Sequence, residues 1–177
     1  LKSTILGTRY AAKYMNKGDV IINIGSFAGI LSMKNASLYS SFKSAINTFT
    51  KSSAEELGKK SIRVNCVVPG VIRTPMTSQY IDDNYNKIIK PIALDRVGSC
   101  EEVANGVLFL CSDLASYITG IILEITGGKY ATSICLAITV LVFQDQELII
   151  WLVPRVDMWV GPRCRYPEST MAVPSHL

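Results

Sequence analysis

Val20-Ile21-Ile22-Asn23-Ile24-Gly25-Ser26-Phe27-Ala28-Gly29 is the stretch on which the fold turns. Five residues, nearly all apolar, run without alternation into a Gly/Ser segment, as a parallel strand buried on both faces does at its carboxyl end. Helical spacing lies on either side of it. Leu1, Ile5, Ala12 and Met15 form one stripe across Leu1 to Asn16, which closes at Lys17-Gly18. Leu38 to Leu57 is a longer helical segment, with Gly58 placed to cap its end. Ile62 to Val68 reads as a second strand, cut off by Pro69-Gly70.

Farther along, residues 71–98 are polar and irregular, with Pro75 and Pro91 and a short helix expected over Asp82–Lys90. Ser99 stands three residues before Glu102 and ahead of an apolar run, the pattern of a capping box opening a helix over Val103 to Leu110. Ile121 to Ile125 is a third strand, ended by Thr126-Gly127-Gly128. The order αβαβ(loop)αβ predicts an α/β fold, a parallel sheet with covering helices. From about residue 130 the character changes. Apolar Ala131–Phe143 and Leu148–Val153 flank the polar Gln144-Asp145-Gln146-Glu147, which argues against a membrane span of the roughly 20 apolar residues one requires. Pro154 to Leu177 has four prolines and no periodicity, so 130–177 is expected to be an irregular tail beside a domain over 1–129.

Composition narrows the function classes. The chain has 177 residues, a net charge of +4 and no run of Lys/Arg interleaved with aromatics, so nucleic acid is not an expected partner. Five cysteines without CxxC or metal-ligand spacing suggest free thiols in a reducing compartment, the cytoplasm or the mitochondrial matrix, and no metal. The single histidine, His176, is the penultimate residue, which disfavours a Ser-His-Asp triad. Proton chemistry then falls to another side chain. Tyr39-Ser40-Ser41-Phe42-Lys43 offers one, because residues i and i+4 share a helix face. A phenol ionises near pH 10 when free, and a cation held beside it favours the phenolate. With eight tyrosines in the chain this spacing alone is an ordinary coincidence, and a half-buried Tyr beside an exposed Lys would be its bland form. Ser26 lifts it: a hydroxyl at a strand's carboxyl end, where open α/β sheets bind ligands, can donate to a carbonyl oxygen as charge develops there.

Taken in order, Asn23-Ile24-Gly25-Ser26-Phe27-Ala28-Gly29, Tyr39-x-x-x-Lys43, Ile62-Arg63-Val64-Asn65, Pro69-Gly70-Val71-Ile72-Arg73-Thr74-Pro75-Met76, Asp95-Arg96-Val97-Gly98-Ser99-Cys100-Glu101-Glu102, Tyr117-Ile118-Thr119-Gly120 and Thr126-Gly127-Gly128 resemble the short-chain dehydrogenase/reductase family over residues 1 to about 130. Within it the chain is similar to the 3-oxoacyl-[acyl-carrier-protein] reductases and the estradiol 17-beta-dehydrogenase 8 type. The resemblance implies the C-terminal part of a Rossmann-like doubly wound sheet, with the N-terminal βαβ units that seat the pyrophosphate not present. It implies NAD or NADP as cofactor and a ketone or secondary alcohol, such as a 3-oxoacyl thioester or a steroid, as substrate. Tyr39 would be the proton donor or base, Lys43 its partner and the holder of the nicotinamide ribose, and Ser26 the group that polarises the carbonyl. Pro69, Gly70, Ile72 and Thr74 would line the nicotinamide pocket, and Met76 to Lys90 would form a substrate lid. A homo- or hetero-oligomer is implied too, through the helices at Leu1–Asn16 and Leu38–Leu57. The opening inside a helical pattern suggests an incomplete form with an open apolar edge at Val20–Ile24, weak in dinucleotide binding. A non-catalytic isoform acting only in subunit association is the alternative.

Overall fold

The structure, a computed structural model, describes residues 1–31, 33–129, 140–144 and 147–151. It divides into two compact units, Leu1–Thr132 and Ser133–Leu177. The first unit begins with α1 (Lys2–Ala11), β1 (Val20–Ile24), a 3₁₀ turn at Phe27–Gly29, α2 (Ser37–Gly58) and β2 (Arg63–Pro69). It continues through α3 (Ser78–Ile89), α4 (Cys100–Cys111), a second 3₁₀ turn at Asp113–Ala115 and β3 (Ile122–Ile125). The three strands pair in parallel in the order β1-β2-β3, with Ile24 opposite Val67 and Pro69 opposite Ile125. Parallel neighbours need long crossovers, and α2 supplies the first while α3 and α4 lie within the second.

β2 is central, and its inner residues Val64 to Val68 are all buried. Side chains alternate across a strand. Cys66 and Val68 therefore pack with Phe27 and Ile46 on the α2 side, while Val67 packs with Leu110 and Ala115 on the α4 side. Two other residues on that side, Arg63 and Asn65, are polar and hydrogen-bonded. Arg63 donates to the carbonyls of Leu110 (2.7 Å), Ser112 and Ile118 (both 3.3 Å), placing a cation at the carboxyl end of α4, where the helix dipole favours it. Asn65 donates to the Ile118 carbonyl and accepts from the Ile121 amide, tying the turn before β3 to the sheet. Both faces carry helices, as a doubly wound sheet requires.

Several elements differ from the pattern in the sequence. β1 lies at an edge among the described residues, as expected of the incomplete form, but it is not buried on both faces, since Ile24 is 48% exposed. α1 stops at Ala11, and turns carry the chain to Gly18, which takes a positive φ of 96°. Gly58 is the last helical residue of α2 and not its left-handed cap; Ser61 takes the positive φ, three residues later. α3 starts four residues before the expected Asp82, and its φ/ψ break at Asn84, whose amide donates back to the Tyr80 carbonyl. The capping box of α4 forms in full, with Ser99 Oγ accepting from the Glu102 amide and the Glu102 carboxylate accepting from the Ser99 amide.

In the second unit, β4 (Val140–Gln144) and β5 (Glu147–Trp151) form an antiparallel pair, with Gln144 opposite Glu147. The two apolar runs of the tail thus hold strands, and the polar tetrad lies at their connection. The rest of 130–177 lies outside the described residues, and so does the irregularity expected there. No helix among the described residues is long and apolar enough to cross a membrane.

Candidate active site

The carboxyl end of β1 and the first turns of α2 form one corner. β1 ends at Ile24, and the Gly25 amide extends its ladder by donating to the Val67 carbonyl (2.8 Å). A side chain at Gly25 would strike Val68 and Cys66 at 2.8 and 2.9 Å, so only glycine lets the chain turn out here. Ser26 follows in extended backbone and caps the 3₁₀ turn, its Oγ accepting from the Ala28 amide at 3.2 Å. That bond uses a lone pair and leaves the hydroxyl proton for another acceptor.

Gly29 brings the turn onto α2. A Cβ there would lie 2.6 Å from the Lys43 carbonyl carbon and 2.8 Å from the Ser44 amide nitrogen, both backbone atoms. Helix α2 itself lies close to the sheet because, Ile46 apart, its buried stripe is small or polar: Ser40, Thr50, Ser53 and Ala54. Asn23 on β1 donates to Thr50 Oγ1 at 2.9 Å, and Thr50 donates to the Ile46 carbonyl at 2.8 Å. The strand and the helix are thereby locked in register.

This packing sets the chemistry. Lys43 Nζ donates to the Ile24 carbonyl at 3.0 Å and lies 5.8 Å from the centre of the Tyr39 ring. That separation is within cation–π range. Tyr39, one helical turn earlier, is 51% exposed, so its hydroxyl is open to a small molecule. Asn47 continues the same face by one more turn: its amide donates to the Gly29 carbonyl at 3.3 Å, and its oxygen accepts from the buried Cys66 thiol at 3.6 Å. Sequence reasoning passed over Asn47, although Tyr39, Lys43 and Asn47 recur at four-residue steps. Burial pushes the Cys66 thiol up in pKa, so it acts as an apolar filler beneath the corner.

The residues expected around a nicotinamide sit at the neighbouring strand end. Pro69 closes β2, and Gly70 donates to the Ile125 carbonyl, so near Thr126 Cα that a Cβ would come within 2.9 Å. Ile72 bridges to Gly98 through the Val71 carbonyl and the Arg73 amide, leaving the Ile72 amide outside that ladder. Thr77 Oγ1 donates to the Ile72 carbonyl at 2.7 Å and meets Thr74 Oγ1 at 2.9 Å. With the Thr77 proton so used, the Thr74 hydroxyl donates to Thr77 and presents lone pairs outward. It is therefore an acceptor there, not a spare donor.

A cleft of about 520 Å³ opens beyond this strand end, lined by Ile72, Leu94, Arg96, Glu124, Thr126 and Lys129 among others. It takes in Ile72 but not Ser26, Tyr39 or Lys43. Lys129 joins the two regions, its Nζ 5.6 Å from the centre of the Phe27 ring, next in sequence to Ser26. Residues 76–90 run into α3, anchored by Ile81 and Ile88 against Ile92.

Comparison with known proteins gives this arrangement a family. Residues 1–129 match the family described as Enoyl-(Acyl carrier protein) reductase. The chain is 42% identical over 132 residues to the 3-oxoacyl-[acyl-carrier-protein] reductase FabG of Aquifex aeolicus (strain VF5), covering 73% of this chain and 53% of that one. Over 120 residues it is 44% identical to a 3alpha-hydroxysteroid dehydrogenase of Mediterraneibacter gnavus, covering 67% and 48%. Among solved structures, a 4-hydroxyisoleucine dehydrogenase complexed with NADH superposes with a TM-score of 0.71 at 33% identity, covering 75% and 57%. A short-chain dehydrogenase/reductase of Brucella melitensis gives 0.66 at 31% identity, covering 72% and 53%. The chain spans about half the length of the curated relatives it matches. With the motifs in order and the sheet in place, the chain belongs to the short-chain dehydrogenase/reductase family.

Proposed function

We propose that this chain carries the acid/base part of an NAD(P)(H)-dependent oxidoreductase that reduces a ketone or oxidises the matching secondary alcohol. The observation that carries this is the 3.0 Å bond from Lys43 Nζ to the Ile24 carbonyl, which holds an ammonium at the end of β1 beside the Tyr39 ring. In reduction, Tyr39 gives its phenolic proton to the carbonyl oxygen; in oxidation it takes the proton back. Lys43 holds positive charge where the phenolate forms. Ser26, with a lone pair committed to the Ala28 amide, has its hydroxyl proton to donate to the same carbonyl oxygen.

The residues present suit a nicotinamide group. The Ile72 amide, outside the ladder to Gly98, can meet a carboxamide, and Gly70 keeps the strand end free of a side chain. Pro69, Gly70, Ile72 and Thr74 would hold the ring, and Lys43 and Tyr39 the ribose hydroxyls. When bound, the cofactor supplies or accepts the hydride at the substrate carbon. NAD and NADP are equally compatible with these residues. The relatives' names favour a 3-oxoacyl thioester or a steroid as substrate.

The test is a chimera in which residues 1–129 replace the matching segment of the Aquifex aeolicus relative. Tyr39→Phe should lower its rate of nicotinamide-dependent ketone reduction by about 10²- to 10⁴-fold, the usual worth of a positioned proton donor. A Tyr39→Phe chimera as active as its parent would remove Tyr39 from the chemistry.

One observation favours a second role. Leu6, Tyr10 and Tyr14, from α1 and the turn after it, and Leu38 and Phe42 on α2 are exposed apolar side chains, more than a lone surface comfortably carries. They suit pairing with a like or related subunit, with or without turnover.

A further inference from the structure

The turn that carries Ser26 is shaped by its own hydrogen bonds and placed by others. Within it, the Gly29 amide donates to the Ser26 carbonyl at 2.8 Å, and the Ala28 amide to Ser26 Oγ at 3.2 Å. The Phe27 ring seats its middle in the α2-side core. Two side chains of α2 fasten its ends. At the entry, Lys43 Nζ donates to the Ile24 carbonyl at 3.0 Å. At the exit, Asn47, one helical turn farther on, donates from Nδ2 to the Gly29 carbonyl at 3.3 Å. Asn47 also borders the start of the turn, since a Cβ on Gly25 would lie 3.1 Å from its Oδ1. That oxygen accepts from the buried Cys66 thiol at 3.6 Å, on the β2 residue paired with Asn23. Burial raises the thiol's pKa, so it keeps the proton that Oδ1 accepts. The amide is thereby oriented, its oxygen toward the sheet and its nitrogen toward the turn.

Resting on the oxidoreductase reading above, we propose that Asn47 is a positioning residue: its bond to the Gly29 carbonyl holds Ser26 in register with the helix that carries Tyr39 and Lys43. Asn47 touches no reacting group and moves no proton. Its effect reaches the chemistry through Ser26. Two hydroxyls must meet one carbonyl oxygen, and a small error in their separation costs rate. Tyr39 belongs to α2, whereas Ser26 stands before the 3₁₀ turn at Phe27–Gly29 and depends on the ties between the two elements. Lys43 ties the entry but also serves the phenolate; Asn47 ties the exit and serves the turn. Asn is a poor helix former in the middle of α2, so its amide contributes through these contacts and not through propensity.

Two variants separate the two bonds of Asn47. Asn47→Asp keeps an oxygen for Cys66 and loses the donor to Gly29; Asn47→Leu keeps the volume and loses both. In the full chain, amide hydrogen exchange at Ala28 and Gly29 should quicken in both variants by about three- to tenfold, the worth of one neutral hydrogen bond. The Gly25 amide, bonded to the Val67 carbonyl in the sheet, should exchange as before. In the chimera, each variant should lower kcat for ketone reduction by a similar factor and leave KM little changed. Added to Ser26→Ala, either should cost scarcely more, because the residue it positions is already lost. Unaltered exchange at Ala28 and Gly29 overturns the proposal, as does exchange that quickens equally at Gly25. Losses in kcat that multiply with that of Ser26→Ala also overturn it, since they mark a general structural role. So does an effect of Asn47→Leu that Asn47→Asp lacks, which would transfer the role to the Cys66 bond. Failure of the oxidoreductase reading shows elsewhere, as a chimera indifferent to Tyr39→Phe; exchange in the full chain then decides whether Asn47 holds the turn.

Discussion

At the scale of single residues, the site depends on which hydrogen-bonding groups are spent and which are left. Ser26 spends a lone pair on the Ala28 amide and keeps a proton; Thr74 spends its proton on Thr77 and keeps lone pairs. Such differences cannot be read from residue type. What the sequence did carry was spacing: Tyr39 and Lys43 one turn apart, and Ser26 at a strand end. Asn47 had the same spacing and was missed because an amide suggests no proton chemistry, yet it fastens the Ser26 turn to α2. One residue also sets a pH response. Arg96 and the Ser99 amide pull Glu102 down to about 2, below its value in an unfolded chain. A carboxylate depressed by folding stabilises the fold above its unfolded pKa and loses that contribution as pH falls from about 4.3 through its folded value. The urea midpoint of the wild type should therefore drop more between pH 6 and pH 3 than that of Glu102→Gln. Parallel pH profiles for the two proteins would show that the Arg96–Glu102 pair does not couple to folding.

At the scale of elements, most of the site is a matter of how near α2 lies to β1. The sequence showed both elements, but not their separation, which is set by side chains that are absent. Gly25 and Gly29 admit backbone and side-chain atoms where a Cβ would collide, and small residues line the buried face of α2. Boundaries were less legible, for local reasons. Gly58 looked like a helix cap, but Ser61 takes the left-handed conformation, and the Ile62 amide bonds back to the Leu57 carbonyl. α3 begins earlier than its apolar pattern suggests because Thr74 and Thr77 organise the turn before it. A single added methyl should expose the importance of the close approach. Gly29→Ala places a carbon against the backbone at Lys43 and must push the turn from α2, at a cost of about 1–3 kcal/mol for overpacking. The variant should keep its helical circular dichroism, melt at lower temperature and lose much of its activity in the chimera. Unchanged melting and turnover would mean that the turn yields freely and that its contact with α2 does not position Ser26.

At the scale of the whole molecule, three parallel strands with helices on both faces hold the Ser26–Tyr39–Lys43 corner and the neighbouring carboxyl end of β2 side by side. The parallel order was legible because β1 and β2 are short apolar runs separated by a helical pattern too long for a hairpin. The place of β1 at an edge agrees with the open edge that the family resemblance implies, whereas the apolar run by itself reads as a strand covered on both faces. Leu108, Leu114 and Tyr117 stand exposed at and after the far end of α4. The proposed chemistry requires Tyr39 and Lys43 to act as one unit at the end of β1. The most direct test is a double-mutant cycle in the chimera, measuring kcat/KM for ketone reduction in the parent, Tyr39→Phe, Lys43→Met and the double variant. If the two side chains form one unit, the double variant should be scarcely worse than the poorer single one, as residues of one catalytic unit behave. If their losses simply multiply, Tyr39 and Lys43 act independently and the proposed site is contradicted.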